Sequence, residues 1–336
     1  MKRASVNSKY QSTFLPVFQD AETRIKTLIL MAFLFMWGEY VLRLRVSKII
    51  KDTELKIGDI PNRQAYMAGL IATSNAMILN SYRKPHLEFL AKKEELKLKT
   101  PGEAFSIAHA KASPNVKDYA KELRRYRKEL AERPIVTLET GKHSISLWQK
   151  AELDVRYEHQ LSMIEDLKAQ GIDLCYISSH PDCSKRCEPW QGKLVSLTKH
   201  SRMSGFRVGK VDGKWVYSLP DITSQRDKYG YNNNVIVGFN CRHKLIAYKG
   251  QLPPTKFSKE DVHDQRKIET RIRAMERDIR KIKERAYLAE KSKDNQDAAF
   301  LKKKAKYMVE KYKRFCTGNG YAWENYRIQI NYAESV

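Results

Sequence analysis

From position 268 onward, apolar side chains recur at alternating steps of four and three: Ile268, Ile272, Met275, Ile279, Ile282, Ala286 and Ala289. Such spacing keeps returning to one face of an α-helix, and that face needs a partner along its length. The same spacing resumes at Leu301, Ala305, Met308, Tyr312 and Phe315, after a polar break at Asp294 and Asn295. Two seams joined by a short polar connection predict an antiparallel helical hairpin, ended by Gly318 and Gly320 and followed by a short helix over 323–330. The outward faces carry Arg271, Arg273, Arg277, Arg280, Lys281, Lys283 and Arg285, then Lys302, Lys303, Lys304 and Lys306. Acidic residues are interspersed, so part of this charge pairs within the helices.

The whole chain holds 63 Lys and Arg against 39 Asp and Glu, a formal net charge of +24. A surface with that imbalance carries a positive field that attracts polyanions. Nucleic acid is the commonest, with an anionic membrane or an acidic protein as alternatives. Hydrophobic residues at 42% and charged ones at 30% exclude a wholly disordered chain. Five cysteines are too sparse for a disulfide scaffold and odd in number, which points to a reducing compartment. Residues 28–37, LILMAFLFMW, are ten apolar residues in a row. A bilayer span needs ~20, and no small-residue cleavage site follows. With Val41, Leu42, Leu44 and Val46 the run reads as a helix buried on most sides, in a core or a subunit interface.

The N-terminal stretch is helical in pattern. Asp20 or Thr23 is expected to cap a helix reaching Ile50, and Pro61 to open another through Met67, Ile71, Met77 and Leu79. Lys92, Lys93, Lys97 and Lys99 precede a turn at Pro101 and Gly102. Residues 115–132 form a charged helix with Arg124, Arg125, Arg127 and Lys128, either a solvated face or a phosphate contact. Ser144 is expected to cap a helix over 145–170, ended by Gly171. After Gly171 the text changes to short β-branched or alternating runs at 174–177, 193–196, 214–217, 235–237 and 244–248. The expected fold is therefore α+β. A mostly helical region covers 1–143, a helix with a small β-rich unit covers 144–255, and the basic hairpin with its C-terminal helix covers 256–336.

Two loops of the β-rich unit carry its chemistry. Residues 180–193 read HPDCSKRCEPWQGK, and residues 238–243 read GFNCRH. Four of Cys183, Cys187, Cys241, His180 and His243 make a candidate tetrahedral zinc set, which would staple a unit too small for a strong core of its own. The other readings are small buried packing thiols with hydrogen-bonded histidines, or a disulfide. Cys175 and Cys316 fall on apolar faces and read as core. A catalytic alternative places His180, Asp182, Asn240 and His243 in a metal-dependent nuclease centre acting on the polyanion that the surface attracts.

At these residues the chain resembles the phage minor capsid protein 2 family. One matching block runs from Ser179, His180 and Pro181 to Trp190, Gln191, Gly192 and Lys193. A second is Gly238, Phe239, Asn240, Cys241, Arg242 and His243, and a third holds Gln265, Arg266 and 276–281, followed by 313–315. The resemblance covers about 140–330. Where many members carry a Gly-Ala-Arg-Pro-type loop after the histidine, this chain has 182–187, DCSKRC, which would make zinc a property of the cysteine version. The resemblance implies a low-copy, non-enzymatic structural component of the virion head, made in the host bacterial cytoplasm. It implies portal protein and major capsid protein as partners. In this reading the N-terminal helices dock on portal or capsid, and Arg124, Arg125, Arg127, Lys128, Arg273, Arg277, Arg280, Lys281, Lys302, Lys303 and Lys304 face packaged double-stranded DNA without sequence preference. A membrane is not an expected partner.

Overall fold

The computed structural model describes residues 6–59, 63–109, 113–132, 138–140, 143–145, 147–181, 183–224, 241, 243–251, 257 and 259–330. The chain divides into two compact units. One is helical, built from 9–150 and 272–336, and the other consists of 151–271 with the first eight residues.

In the helical unit, α1 (Val6–Leu34) and α2 (Glu39–Ile57) replace the single helix expected to reach Ile50. Asp20 and Thr23 lie inside α1, not at its start. The helix stops because Met36 takes a left-handed φ of 57° and Gly38 is extended, while Trp37 N–H closes the end on the Ala32 carbonyl at 2.8 Å. Burial follows the break. Ile29, Leu30, Ala32, Phe33 and Leu34 are core, whereas Phe35, Val41 and Leu44 are exposed, so the apolar run is not buried throughout. Among the described residues no helix is long and apolar enough to cross a membrane.

Next, α3 (Arg63–Met77) passes through a π-helical turn at Ile78–Arg83 into α4 (Lys84–Glu95). Pro85 has no N–H for the Ser81 carbonyl four residues back, and that carbonyl accepts the Tyr126 hydroxyl. After α5 (Glu103–His109), α6 (Pro114–Glu132) buries Val116, Tyr119, Ala120, Leu123, Tyr126 and Leu130 at helical spacing. Phe33 packs edge-on against Phe89 at 5.2 Å and tilted against Tyr126 at 4.6 Å, and the Tyr119 hydroxyl donates to the Phe89 carbonyl at 3.1 Å. These contacts join α1, α4 and α6 into one aromatic core.

Two cations are buried within this unit. Lys26 Nζ lies 3.0 Å from Glu22 and 3.0 Å from Glu284, and donates to the Ala131 carbonyl. Arg127, 2% exposed, donates to Ser292 Oγ at 2.7 Å, to Asp294 at 3.2 Å and to Asp297. Arg124 Nε reaches Asp294 at 2.7 Å. Arg127 is thus buried inside an ion-pair cluster and not on the exposed face expected from the sequence, while Arg124, half-buried, binds the same carboxylate.

The expected hairpin is present as α9 (Lys259–Lys291) and α10 (Asn295–Gly318). Ile282, Ala286 and Ala289 pack with Ala298, Leu301, Ala305 and Met308, and the Tyr312 hydroxyl donates to Glu276 at 3.1 Å. Asp294 caps α10 by accepting the Asp297 N–H. The last expected helix is a single 3₁₀ turn, Asn325–Ile328. Also in this unit, β1 (Leu138–Thr140) pairs antiparallel with β2 (His143–Ile145). Ser144 therefore lies in a strand and not at the start of a helix.

In the second unit, the helix α7 (Leu147–Ala169, entering from the helical unit at 151) ends at Gly171, whose φ is +72°. The sheet that follows contains β3 (Leu174–Ile177), β4 (Leu194–Ser196), β5 (Arg207–Val211), β6 (Lys214–Ser218) and β7 (Leu245–Ala247) in the order β5-β6-β4-β3-β7. Among the described strands, only β4 and β6 pair in parallel. A short helix, α8 (Leu219–Ser224), follows β6. Four of the strand expectations correspond to β3, β4, β6 and β7, and β5 is additional. The expectation at 235–237 lies outside the described residues. Cys175, Ile177, Val195, Leu197, Leu219, Ile222 and Leu245 form the core with Ile164 and Val262.

Two carboxylates tie the sheet ends. Asp173 accepts from Ser196 Oγ at 2.8 Å, Thr198 Oγ1 at 2.7 Å and Thr198 N–H at 2.9 Å. Asp221 accepts the Ser201 N–H at 2.6 Å and the Ser201 hydroxyl at 2.5 Å, with His200 Nδ1 at 2.6 Å. The Ser201 hydrogen bonds hold the Asp221 carboxyl well below the usual carboxylate range. For Asp173, partial burial pushes upward, and the Thr198 and Ser196 bonds outweigh it.

Two outcomes follow from these placements. Asp294→Ala leaves Arg127 buried without its main counter-charge and removes a helix cap, so it should cost about 3–5 kcal/mol in urea unfolding, whereas exposed Arg125→Ala should change stability by less than about 0.5 kcal/mol. Because Asp173 and Asp221 have depressed folded-state values, their stabilisation is full above about pH 4 and is lost as pH falls further. Unfolding midpoints measured from pH 6 to pH 2.5 should therefore drop steeply below about 4, and more shallowly in Asp221→Asn.

Candidate metal centre

Strand pairing decides which loops meet. Ile177 opposes Leu245 in the antiparallel β3–β7 pair, so the chain leaving β3 runs beside the chain entering β7. Beyond the strands the pairing continues, with Ser178 N–H donating to the Lys244 carbonyl at 2.9 Å and Lys244 N–H to Ser178 Oγ at 2.8 Å. The next residues outward are His180 on one side and His243 and Cys241 on the other.

The first loop then turns back on itself. Cys187 N–H donates to the Ser184 carbonyl at 2.9 Å, and Trp190 N–H to the Cys187 carbonyl at 2.9 Å, in a 3₁₀ turn at Glu188–Trp190. Gly192, at φ +67°, lets its N–H reach the Ile177 carbonyl at 2.9 Å, and Lys193 carbonyl accepts Ile177 N–H at 3.0 Å. Gln191 Oε1 accepts the His180 N–H. The Trp190 ring meets Tyr217 edge-on at 5.5 Å and Phe206 at 6.1 Å, and Lys193 Nζ lies 6.0 Å from the Tyr217 ring. Each member of this Trp-Gln-Gly-Lys run thereby fixes the loop against the sheet.

Cys187, Cys241 and His243 are all buried, and their ligand atoms lie within 4.8 Å of one another. Cys241 Sγ is 3.4 Å from His243 Nδ1, and Cys183 Sγ is 3.4 Å from His243 Nε2. Three thiols thus converge on one imidazole that is 5% exposed. The hydrogen bond to Cys187, with burial, pushes the Cys241 thiol up to about 12. For His243 burial pulls downward, but the bonds to Cys187 and Cys241 outweigh it and raise the imidazole to about 9. Both directions describe groups sharing protons in a dry cluster without an ion. Five free cysteines are found among the described residues, all buried.

Of the five candidate ligands, His180 stands apart from the group of three. Its Nε2 is 3.0 Å from Ser178 Oγ, and its ring is edge-on to His243 at 4.9 Å. Asp182, Asn240 and Arg242 lie outside the described residues, and with them half of the nuclease constellation. Cys175 is core as expected, with burial pushing its thiol up to about 11. Two supporting residues carried no sequence signal. Gln160 on α7 donates to the Cys241 carbonyl, and Ser178 bridges the loops.

The basic candidates fall into two groups. Arg124, Arg127, Arg273 and Arg280 are bonded within the helical unit, Arg273 to Glu276 at 3.1 Å and Arg280 to the Arg327 carbonyl. Arg125, Lys128, Arg277, Lys281, Lys302, Lys303 and Lys304 are exposed, with Arg125 beside Glu129 at 3.8 Å and Lys302 beside Glu290 at 2.8 Å.

Residues 162–316 match the family model of phage minor capsid protein 2. That stretch belongs to this family. It runs from α7 through both Cys/His loops to Cys316 near the end of α10, and so includes the sheet, the clustered thiols and the hairpin. No curated protein and no solved structure matches the chain. Within the matched stretch the Gly192 position demands a left-handed backbone. Gly192→Ala should lower stability by about 1–2 kcal/mol in thermal or urea unfolding while leaving the exposed basic residues untouched.

Proposed function

We propose that the protein is a structural component of a tailed-phage head that contacts packaged DNA through its C-terminal helices. The family match supports a minor capsid protein, and the observation that carries the DNA reading is the exposed face of α10. That helix has seven Lys and Arg against two acidic residues, and Lys302, Lys303, Lys304, Lys306, Lys311 and Arg314 are all exposed. Acidic neighbours answer only part of this charge, with Glu290 on Lys302 and Glu310 on Lys313. A row of lysines on one rigid helix fits phosphate recognition, which is positional and indifferent to sequence. Arg127, buried in its ion-pair cluster, is not part of this face.

In this reading the protein is made in the host cytoplasm and assembled into the virion beside portal protein and major capsid protein, acting as structure and not as a catalyst. The N-terminal helices, whose Tyr40, Leu44, Leu55 and Leu87 side chains are exposed and apolar, supply the surface for those protein partners. Duplex binding by the purified full chain tests the DNA part. Affinity should fall linearly on a log–log salt plot, and a Lys303→Glu, Lys304→Glu, Lys306→Glu variant should flatten the slope by about 2–3. Binding that ignores salt, or a slope unchanged in the variant, would overturn the assignment of this face.

A further inference from the structure

The thiols around His243 have no role in the DNA reading. Their arrangement has its own logic. A zinc ion with Zn–S of about 2.3 Å and Zn–N of about 2.0–2.1 Å holds sulfur and nitrogen donors about 3.5–3.6 Å apart in a tetrahedron. Cys241 Sγ and His243 Nδ1 stand 3.4 Å apart, close to that edge, and Cys187 Sγ completes a group no wider than 4.8 Å. Cys183 Sγ is 3.4 Å from the other nitrogen of the same ring. From these distances we propose that Cys187, Cys241 and His243, through Nδ1, bind a structural zinc ion, and that Cys183 turns its thiol from Nε2 toward the ion to complete a Cys₃His set.

Placement and charge support the assignment. All four residues are buried, so solvent does not compete for the ion and no open coordination position is presented, as in structural rather than catalytic zinc sites. Zinc displaces the thiol protons to solvent as the thiolates form, which leaves three thiolates and a divalent cation with a net charge of about −1. Lys185 and Arg186, exposed between Cys183 and Cys187, lie on the loop that wraps this charge. The ligands come from two chain segments about 60 residues apart, so the ion would cross-link the loop after β3 to the entry of β7. Gln160, buried on α7, and Ser178 hold the backbone of both segments from behind, in the manner of outer-shell partners.

The full chain, purified without added chelator, is the test material. Elemental analysis should find about one zinc per chain, released when the thiols are alkylated under denaturing conditions. Cobalt(II) in place of zinc should give the visible envelope of a tetrahedral site and a near-ultraviolet sulfur-to-metal band with the intensity of three thiolates. Cys183→Ser should lower that band by about a third, and His243→Ala should weaken zinc retention by at least about 10-fold. The wild-type measurements need no variant to fold. A chain that binds no zinc at micromolar concentrations, or whose intact mass reveals a disulfide, overturns the site. A cobalt band unchanged by Cys183→Ser overturns the Cys₃His set, because Cys183 then only orients the imidazole through Nε2. None of these results depends on DNA binding, so failure here leaves the head-protein reading to its own test.

Discussion

The register of one strand pair governs the functional part of this molecule. Ile177 faces Leu245, and from that single alignment the two loops must emerge side by side at the same end of the sheet. A slip of one residue would turn Cys175 and Ile177 out of the core and separate His243 from the first loop. Burial enforces the alignment, since Cys175 and Ile177 on β3 and Leu245 on β7 are all core residues. Trp190, Gln191 and Gly192 then brace the returning loop, so what reads as a short motif is a set of contacts to that strand pair.

The helical unit solves a different problem, which is how to use so many bases. Some are drawn inside. Lys26 and Arg127 are buried but paired, and removing one partner from such a cluster is far more damaging than losing an exposed pair. Others stay exposed on most of the helices, and on α10 they include Lys302, Lys303, Lys304, Lys306, Lys311 and Arg314. One seam of small and apolar residues, Ala286, Ala289, Ala298, Leu301 and Ala305, lets the hairpin close tightly while its other face stays exposed.

The α+β architecture and the hairpin were legible because a seam repeated over two helices leaves a periodic trace, and because β-branched runs begin sharply after Gly171. The break after Leu34 was not, since the apolar run continues across it and the stop depends on the backbone of Met36 and Gly38. The strand β5 was missed although Asp212 and Gly213, both at positive φ, form the two-residue turn that joins it to β6. Arg127 reads as a surface base because residue type says nothing about a carboxylate 167 positions away. For the site, residue type singled out the three thiols and His243, while the separation of His180 from them and the supports from Gln160 and Ser178 are products of the fold.

The hydrogen bonds shared across this end of the sheet make the two loops and the strand pair beneath them one cooperative element. Native-state hydrogen exchange on the full chain addresses it directly, by comparing the amides of Ser178 and Gly192 at the loop end with that of Tyr248, which bonds the Leu174 carbonyl at the far end of the same pair. All three amides should exchange at a common opening free energy and shift together when Cys241→Ser loosens the cluster. Such cooperativity is contradicted if Ser178 and Gly192 exchange as a freely fraying loop while Tyr248 remains protected.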